Sequence, residues 1–205
     1  MNETTDPNSQ ILLVVILAFY WAMLTGCSEL LSRWNAERAK RTAASTREGS
    51  DTEHSSPPDT PEEALRMIDP QFDLLAFLRG AKRAYEAVLQ AYATSDIQAL
   101  KRLVGPEVLD VFGREIATRR DREETLKLTF IGTREAKVVD AVVEDGTAEI
   151  VVRYVSEVVS VTRSADDAIV AGDPLQVVEM IDTWTFACEI QSTRRNWILI
   201  ATKGE

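Results

Sequence analysis

The hydrophobic period of this chain changes once, near Thr125. Before it, Leu74, Leu78, Ala81, Tyr85, Val88, Leu89 and Tyr92 recur at steps of three and four. Arg79, Lys82, Arg83, Glu86 and Gln90 fall between them. That spacing predicts one long amphipathic helix. Ser95 or Asp96 can cap a short second helix, from Ile97 to about Val104. Gly105 ends it, and Pro106 opens a third helix that buries Val108, Leu109, Phe112 and Ile116 and runs to about Arg120. After Thr125 the period falls to two, with Leu126, Leu128 and Phe130 alternating with Lys127 and Thr129. Ala136–Glu144 follows, and Asp145-Gly146 is a hairpin signal. Thr147–Arg163 reads as one long Val- and Ile-rich strand, Ser164–Pro174 as a polar loop, Leu175–Glu189 as a strand and Asn196–Thr202 as the last. Helices first and an antiparallel meander after them predict an α+β domain over residues 69–205. Three helices on one curved sheet make a cone, with an apolar cavity expected at its open end.

The start of the chain obeys a different rule. Ile11 to Gly26 reads ILLVVILAFYWAMLTG, sixteen residues without a charge. As a helix it reaches about 24 Å, short of a hydrocarbon core of roughly 30 Å. Cys27, Ser28, Leu30 and Leu31 extend it, and Trp34 suits a headgroup-level anchor. Four readings compete: a spanning helix over residues 11–31, a cleaved secretory signal, a lipoprotein signal in which Leu24-Thr25-Gly26-Cys27 is the lipobox, and a buried core helix. Charge placement favours the first. Signals for export need a basic region before the apolar run, yet the tail over residues 1–10 holds Glu3 and Asp6 and no Lys or Arg. Arg33, Arg38, Lys40 and Arg41 all follow the run, which keeps the C-terminal side in the cytoplasm. The same four residues can touch anionic lipid, or act as a topology signal alone.

Residues 32–68 read as a flexible linker, basic and then acidic. Its stretch TAASTREGSDTEHSSPPDTPEE shows no apolar period and is too polar to offset its ordering entropy. Ala64–Ile68 can form a helical turn. The chain's net charge of −10 argues against nucleic acid as a partner. The two cysteines, Cys27 and Cys188, make neither a CxxC pair nor a disulfide framework.

Chemistry-bearing residues are sparse. The one histidine, His54, falls in the linker, so His-based catalysis and His-metal centres have no basis, and no metal or cofactor is expected. No glycine-rich phosphate loop occurs. Asp182 and Trp184 share one face of a strand. If that face lines the cavity beside Tyr85 and Tyr154, Asp182 could act as a general base; a surface carboxylate paired with Arg or Lys is the plainer expectation. Tyr85, Tyr154, Asp182, Trp184 and Trp197 are therefore candidate cavity residues for a lipid tail or a peptide segment, with no catalytic residue assigned.

The segment Phe77-Leu-Arg-Gly80-Ala-Lys-Arg-Ala-Tyr85-Glu, with Asp96, Leu100, Val108, Phe112 and Ile116, resembles the helical half of the Tim44-like domain. Gly172 to Phe186 and the closing Asn196 to Thr202 resemble its sheet half. An apolar segment, a polar linker and then the domain is also the layout of the bacterial, TimA-type members. The resemblance implies a nuclear-transport-factor-two-like fold and attachment to the inner membrane, on its cytoplasmic side. It implies an adaptor rather than an enzyme. The expected partners are inner-membrane lipid and a translocase, chaperone or membrane-protein assembly factor, with ribosome contact also implied. A cavity enzyme of isomerase or dehydratase type and a periplasmic lipoprotein acylated on Cys27 are the alternatives.

Overall fold

The structure is a computed structural model that describes residues 60–144, 146–192 and 196–204. The apolar run, the basic residues Arg33, Arg38, Lys40 and Arg41 and most of the expected linker lie outside the described residues. Among the described residues, no helix is long and apolar enough to cross a membrane.

Among the described residues four helices precede the strands, one more than expected. Helix α1 spans Pro61–Ile68, α2 Leu74–Ala93, α3 Ile97–Leu103 and α4 Pro106–Asp121. Local chemistry starts each of them. The Thr60 hydroxyl accepts from the Glu63 amide at 3.2 Å and Pro61 sits in the first turn of α1. Asp73 and Asp96 cap α2 and α3, each accepting an amide at 2.8 Å. Pro106 opens α4 without a side-chain cap. Residues 61–68, expected as the end of the linker, are thus helical. Leu65, at 2 % exposure, is part of the core, and burial of that one side chain is what recruits a helix where the local pattern supports only a turn.

The strands are β1 (Thr125–Glu144), β2 (Thr147–Arg163), β3 (Ile169–Gly172), β4 (Val178–Glu189) and β5 (Ile198–Gly204). All pair antiparallel, in the order β1-β2-β4-β5, with β3 paired to the far end of β2. Strand β2 has the predicted bounds. The turn into it carries Gly146 at φ +78°, as a primed hairpin turn needs. Strand β1 is continuous, and its register slips at Phe130/Gly132, Thr133/Glu135 and Val138/Asp140. Each such bulge bends the strand and raises its twist, which curves the sheet around the helices. The polar loop expected over Ser164–Pro174 contains β3, and β4 begins at Val178 rather than Leu175.

The inner face of β2 is buried residue by residue, through Ala148, Ile150, Val152, Tyr154, Ser156 and Val158. It shares one core with Phe77, Ala81, Tyr85, Val88 and Leu89 of α2, Leu100 of α3 and Val108, Phe112 and Ile116 of α4. The apolar stripe expected for α2 is the packed face.

Gly172 closes β3 onto β2 at φ +78°, where a Cβ would stand 2.1 Å from the Ser160 carbonyl oxygen. At Gly80, inside α2, a Cβ would meet nothing within 4 Å. Gly172→Ala is therefore expected to cost about 1–3 kcal/mol. Gly80→Ala is expected to add about 0.5–1 kcal/mol. Denaturant unfolding of the two variants checks both signs.

Candidate functional site

Three elements converge on one polar cluster inside the core. Tyr85 comes from the packed face of α2. Tyr154 and Ser156 lie two apart on β2, and Asp182 and Trp184 two apart on β4, so all four project from the sheet's buried face. Tyr154 stands directly across the ladder from Asp182. The period of two dictates which face these residues take; the register of β2 against β4 makes them neighbours.

The Tyr85 hydroxyl donates to Asp182 Oδ2 at 2.5 Å and lies 2.9 Å from Ser156 Oγ. Its ring stacks on Tyr154, with centroids 4.3 Å apart and planes at 17°. Trp184 leans on it at 4.5 Å, and Phe130 meets it edge-on at 6.1 Å. Tyr85, Tyr154, Ser156, Asp182 and Trp184 are all at 0 % exposure. Burial pushes the Tyr85 phenol far above its ordinary range, and the Asp182 carboxylate beside it pushes further. Burial and the same carboxylate also raise Tyr154. Tyr154 Oη and Trp184 Nε1 have no hydrogen-bond partner among the described residues.

Four of the five candidate cavity residues are thus brought together, but they fill the space between α2 and the sheet and do not border an open cavity. Three large rings in mutual contact leave no room for one. A cleft of about 20 Å³ lies at the α1 end, lined by Leu65, Asp69, Phe72, Ala148, Cys188, Ile190 and Trp197. That is room for about one water. Trp197, the fifth candidate, borders it. It packs on Phe77 at 4.9 Å and Phe72 at 6.4 Å, in an aromatic group that reaches Trp184 through Phe186. Asp182 is buried and hydrogen-bonded to a phenol, and does not lie on the strand surface.

Two residues went unnoticed in the sequence. Ser156 is a polar residue in phase with the buried positions of a Val-rich strand, and that phase was a readable signal. Arg119 gave none. It is 9 % exposed, donates from Nη2 to the Tyr92 carbonyl at 2.8 Å and to Ser95 Oγ at 3.3 Å, and lies 4.8 Å over the Tyr92 ring. It ties α4 to the C-terminal end of α2, where a cation is favourable. Among the described residues no group of three or more His, Cys, Asp or Glu could hold a metal ion.

Removing the Tyr85 hydroxyl strands buried partners, whereas removing that of Tyr154 strands none. Tyr85→Phe is expected to cost about 2–4 kcal/mol, and Tyr154→Phe to change stability by less than about 1 kcal/mol, in denaturant titrations. Both phenols also link stability to alkali. Below the ordinary phenol value of 10.0 each is neutral folded and unfolded, so stability is level there. Above it the unfolded chain loses the protons and the folded one keeps them. Stability then falls by about 1.4 kcal/mol per pH unit for each phenol. In an alkaline titration their phenolate absorbance is expected only with unfolding, and Tyr154→Phe lowers the slope by one phenol's share.

Comparison with known proteins adds the family. No curated protein matches the chain. Among solved structures, the intermembrane space region of the chloroplast protein ARC6 superposes at a TM-score of 0.45 and 12 % identity, over 66 % of this chain and 98 % of that one. An NTF2-like protein of unknown function in nutrient uptake, from Rhodospirillum rubrum, superposes at 0.33 and 15 % identity, over 65 % and 98 %. The family model of the Tim44-like domain matches residues 62–204, from the first turn of α1 to the end of β5. The chain belongs to the Tim44-like domain family.

Proposed function

We propose that this chain is a membrane-anchored adaptor of the bacterial, TimA type. In this reading residues 11–31 hold it in the inner membrane, residues near Arg33, Arg38, Lys40 and Arg41 touch anionic lipid, and the folded domain recruits a protein partner on the cytoplasmic side. The partner belongs to translocation, insertion or membrane-protein assembly. Ribosome contact fits the same role.

One observation carries the choice of binding over catalysis. The residues that would do chemistry are sealed in: Asp182, Tyr85, Tyr154 and Trp184 are fully buried against one another. A general base must come within hydrogen-bond reach of a substrate proton, directly or through one water. Tyr85, Tyr154, Asp182 and Trp184 present no surface that a water could reach, directly or from a neighbouring hollow. A domain closed at its centre binds through its surface. The alternative enzyme, with Asp182 as base, would require the rings to part.

Fractionation of cells producing the tagged full chain tests the reading. The chain is expected in the membrane fraction, resistant to alkaline extraction, with a C-terminal reporter active in the cytoplasm. Purification from detergent extracts is expected to bring a translocase, chaperone or assembly factor above an unrelated tagged control. A soluble chain, or one that brings no partner, defeats the reading. Fatty-acid labelling that disappears with Cys27→Ser would instead favour the lipoprotein.

A further inference from the structure

Strand β3 and the turn after it carry four large apolar side chains in the open. Ile169 is 46 % exposed, Val170 39 %, Leu175 92 % and Val177 52 %. A lone exposed leucine needs no account. Four such residues within nine positions leave both faces of this sheet edge apolar, and exposed apolar surface of that kind marks interaction sites. Ile169 and Val170 are successive, so they point to opposite faces of the sheet, and both are exposed. Among the described residues nothing covers either face at this end of the sheet.

The patch is held in place. Arg163 donates to the Asp167 carbonyl at 2.7 Å and pairs with its carboxylate at 3.5 Å. The Ser164 amide donates to the Ala168 carbonyl at 3.0 Å. On the other side of β3, Asp173 Oδ1 accepts from the Leu175 amide at 2.8 Å, which fixes the turn that displays that leucine. A preformed contact surface loses little conformational entropy on binding.

Charge says what kind of surface it meets. Asp166 and Asp167 stand at one end of β3, and Asp173 and Glu179 at the other. A hydrogen bond from the Ser164 hydroxyl holds the Asp166 carboxyl below its usual range, so it is anionic at neutral pH. Two nearby cations are paired with acids of this region, Arg163 with Asp167 and Arg134 with Glu157 at 3.4 Å and Glu179 at 2.9 Å, which leaves Asp166 and Asp173 as the rim's net negative charge. An apolar centre with an acidic rim is repelled by an anionic bilayer and complements an apolar site with a basic rim.

We propose that β3 and its flanking turns dock into an apolar groove of a partner protein whose rim carries Lys and Arg. This rests on the adaptor reading above and gives the adaptor its contact face.

The test uses the full chain in its own membranes, with a benzophenone amino acid at position 175 and, as control, at the exposed position 98 on α3. Illumination is expected to give a discrete protein adduct from position 175 and none from position 98. The crosslinked partner peptide is expected to carry Lys or Arg beside apolar residues. The adduct is expected to fall severalfold with Asp166→Lys, which leaves the Arg163–Asp167 pair intact, as lost charge complementarity requires. An adduct to phospholipid, to a second copy of this chain or to a peptide without basic residues overturns the proposal, as does no adduct above the control or one indifferent to the charge reversal. Purification of the wild-type chain and of Leu175→Gln/Val177→Gln from the same membranes separates the two failures. Partners that stay with a variant of unchanged melting temperature overturn the docking face alone. A wild-type chain without partners removes the adaptor reading as well.

Discussion

A carboxyl group at the centre of an aromatic core is expensive unless something donates to it, because no water is there to do so. Asp182 is at 0 % exposure, and the donor is the hydroxyl of Tyr85, a residue 97 positions away in sequence. The same hydroxyl meets Ser156 on the neighbouring strand. One phenol therefore ties α2 to both central strands at once. A shift of α2 along its axis by one residue, about 1.5 Å, would break both contacts and leave two buried polar groups without their phenol. Apolar packing alone does not impose so sharp a setting, since it tolerates many nearly equivalent arrangements. The polar cluster in this core acts on uniqueness of packing as much as on total stability.

The sheet supplies the other half of that geometry. Three register slips along β1 bend it over the helices. The bend brings Phe130 against the ring of Tyr85, so the curvature closes the aromatic cluster. Closure has a functional consequence. A fold of this layout can hold a cavity between its helices and its sheet, and here Tyr85, Tyr154 and Trp184 occupy that space. What remains open lies outside: the half-buried outer face of β2, with Val151 and Val155, and the apolar edge at β3.

Much of the architecture was legible in the residues. Periods of three and four before Thr125 and of two after it are local consequences of helix and strand geometry, and they need no partner to be read. The caps at Asp73 and Asp96, the turn at Gly146 and the full length of β2 are of the same kind. The misses share a cause. Helix α1 exists because Leu65 finds a hydrophobic neighbourhood, and β3 exists because Gly172 can approach the Ser160 carbonyl more closely than any other residue could. In both cases the deciding atoms are far away in sequence.

The candidate site divides along the same line. By itself the sequence determined that Asp182 and Trp184 face one way and that Tyr85 lies on the packed stripe of a helix, because side-chain direction follows from backbone period. Only the tertiary structure decided that these faces meet with no space between them. Pattern sets direction, whereas the volume left between two layers depends on the register of β2 against β4, on the bend of β1 and on the size of every ring that meets there. A cavity and a packed core share one sequence pattern, and they differ only in how closely the layers approach.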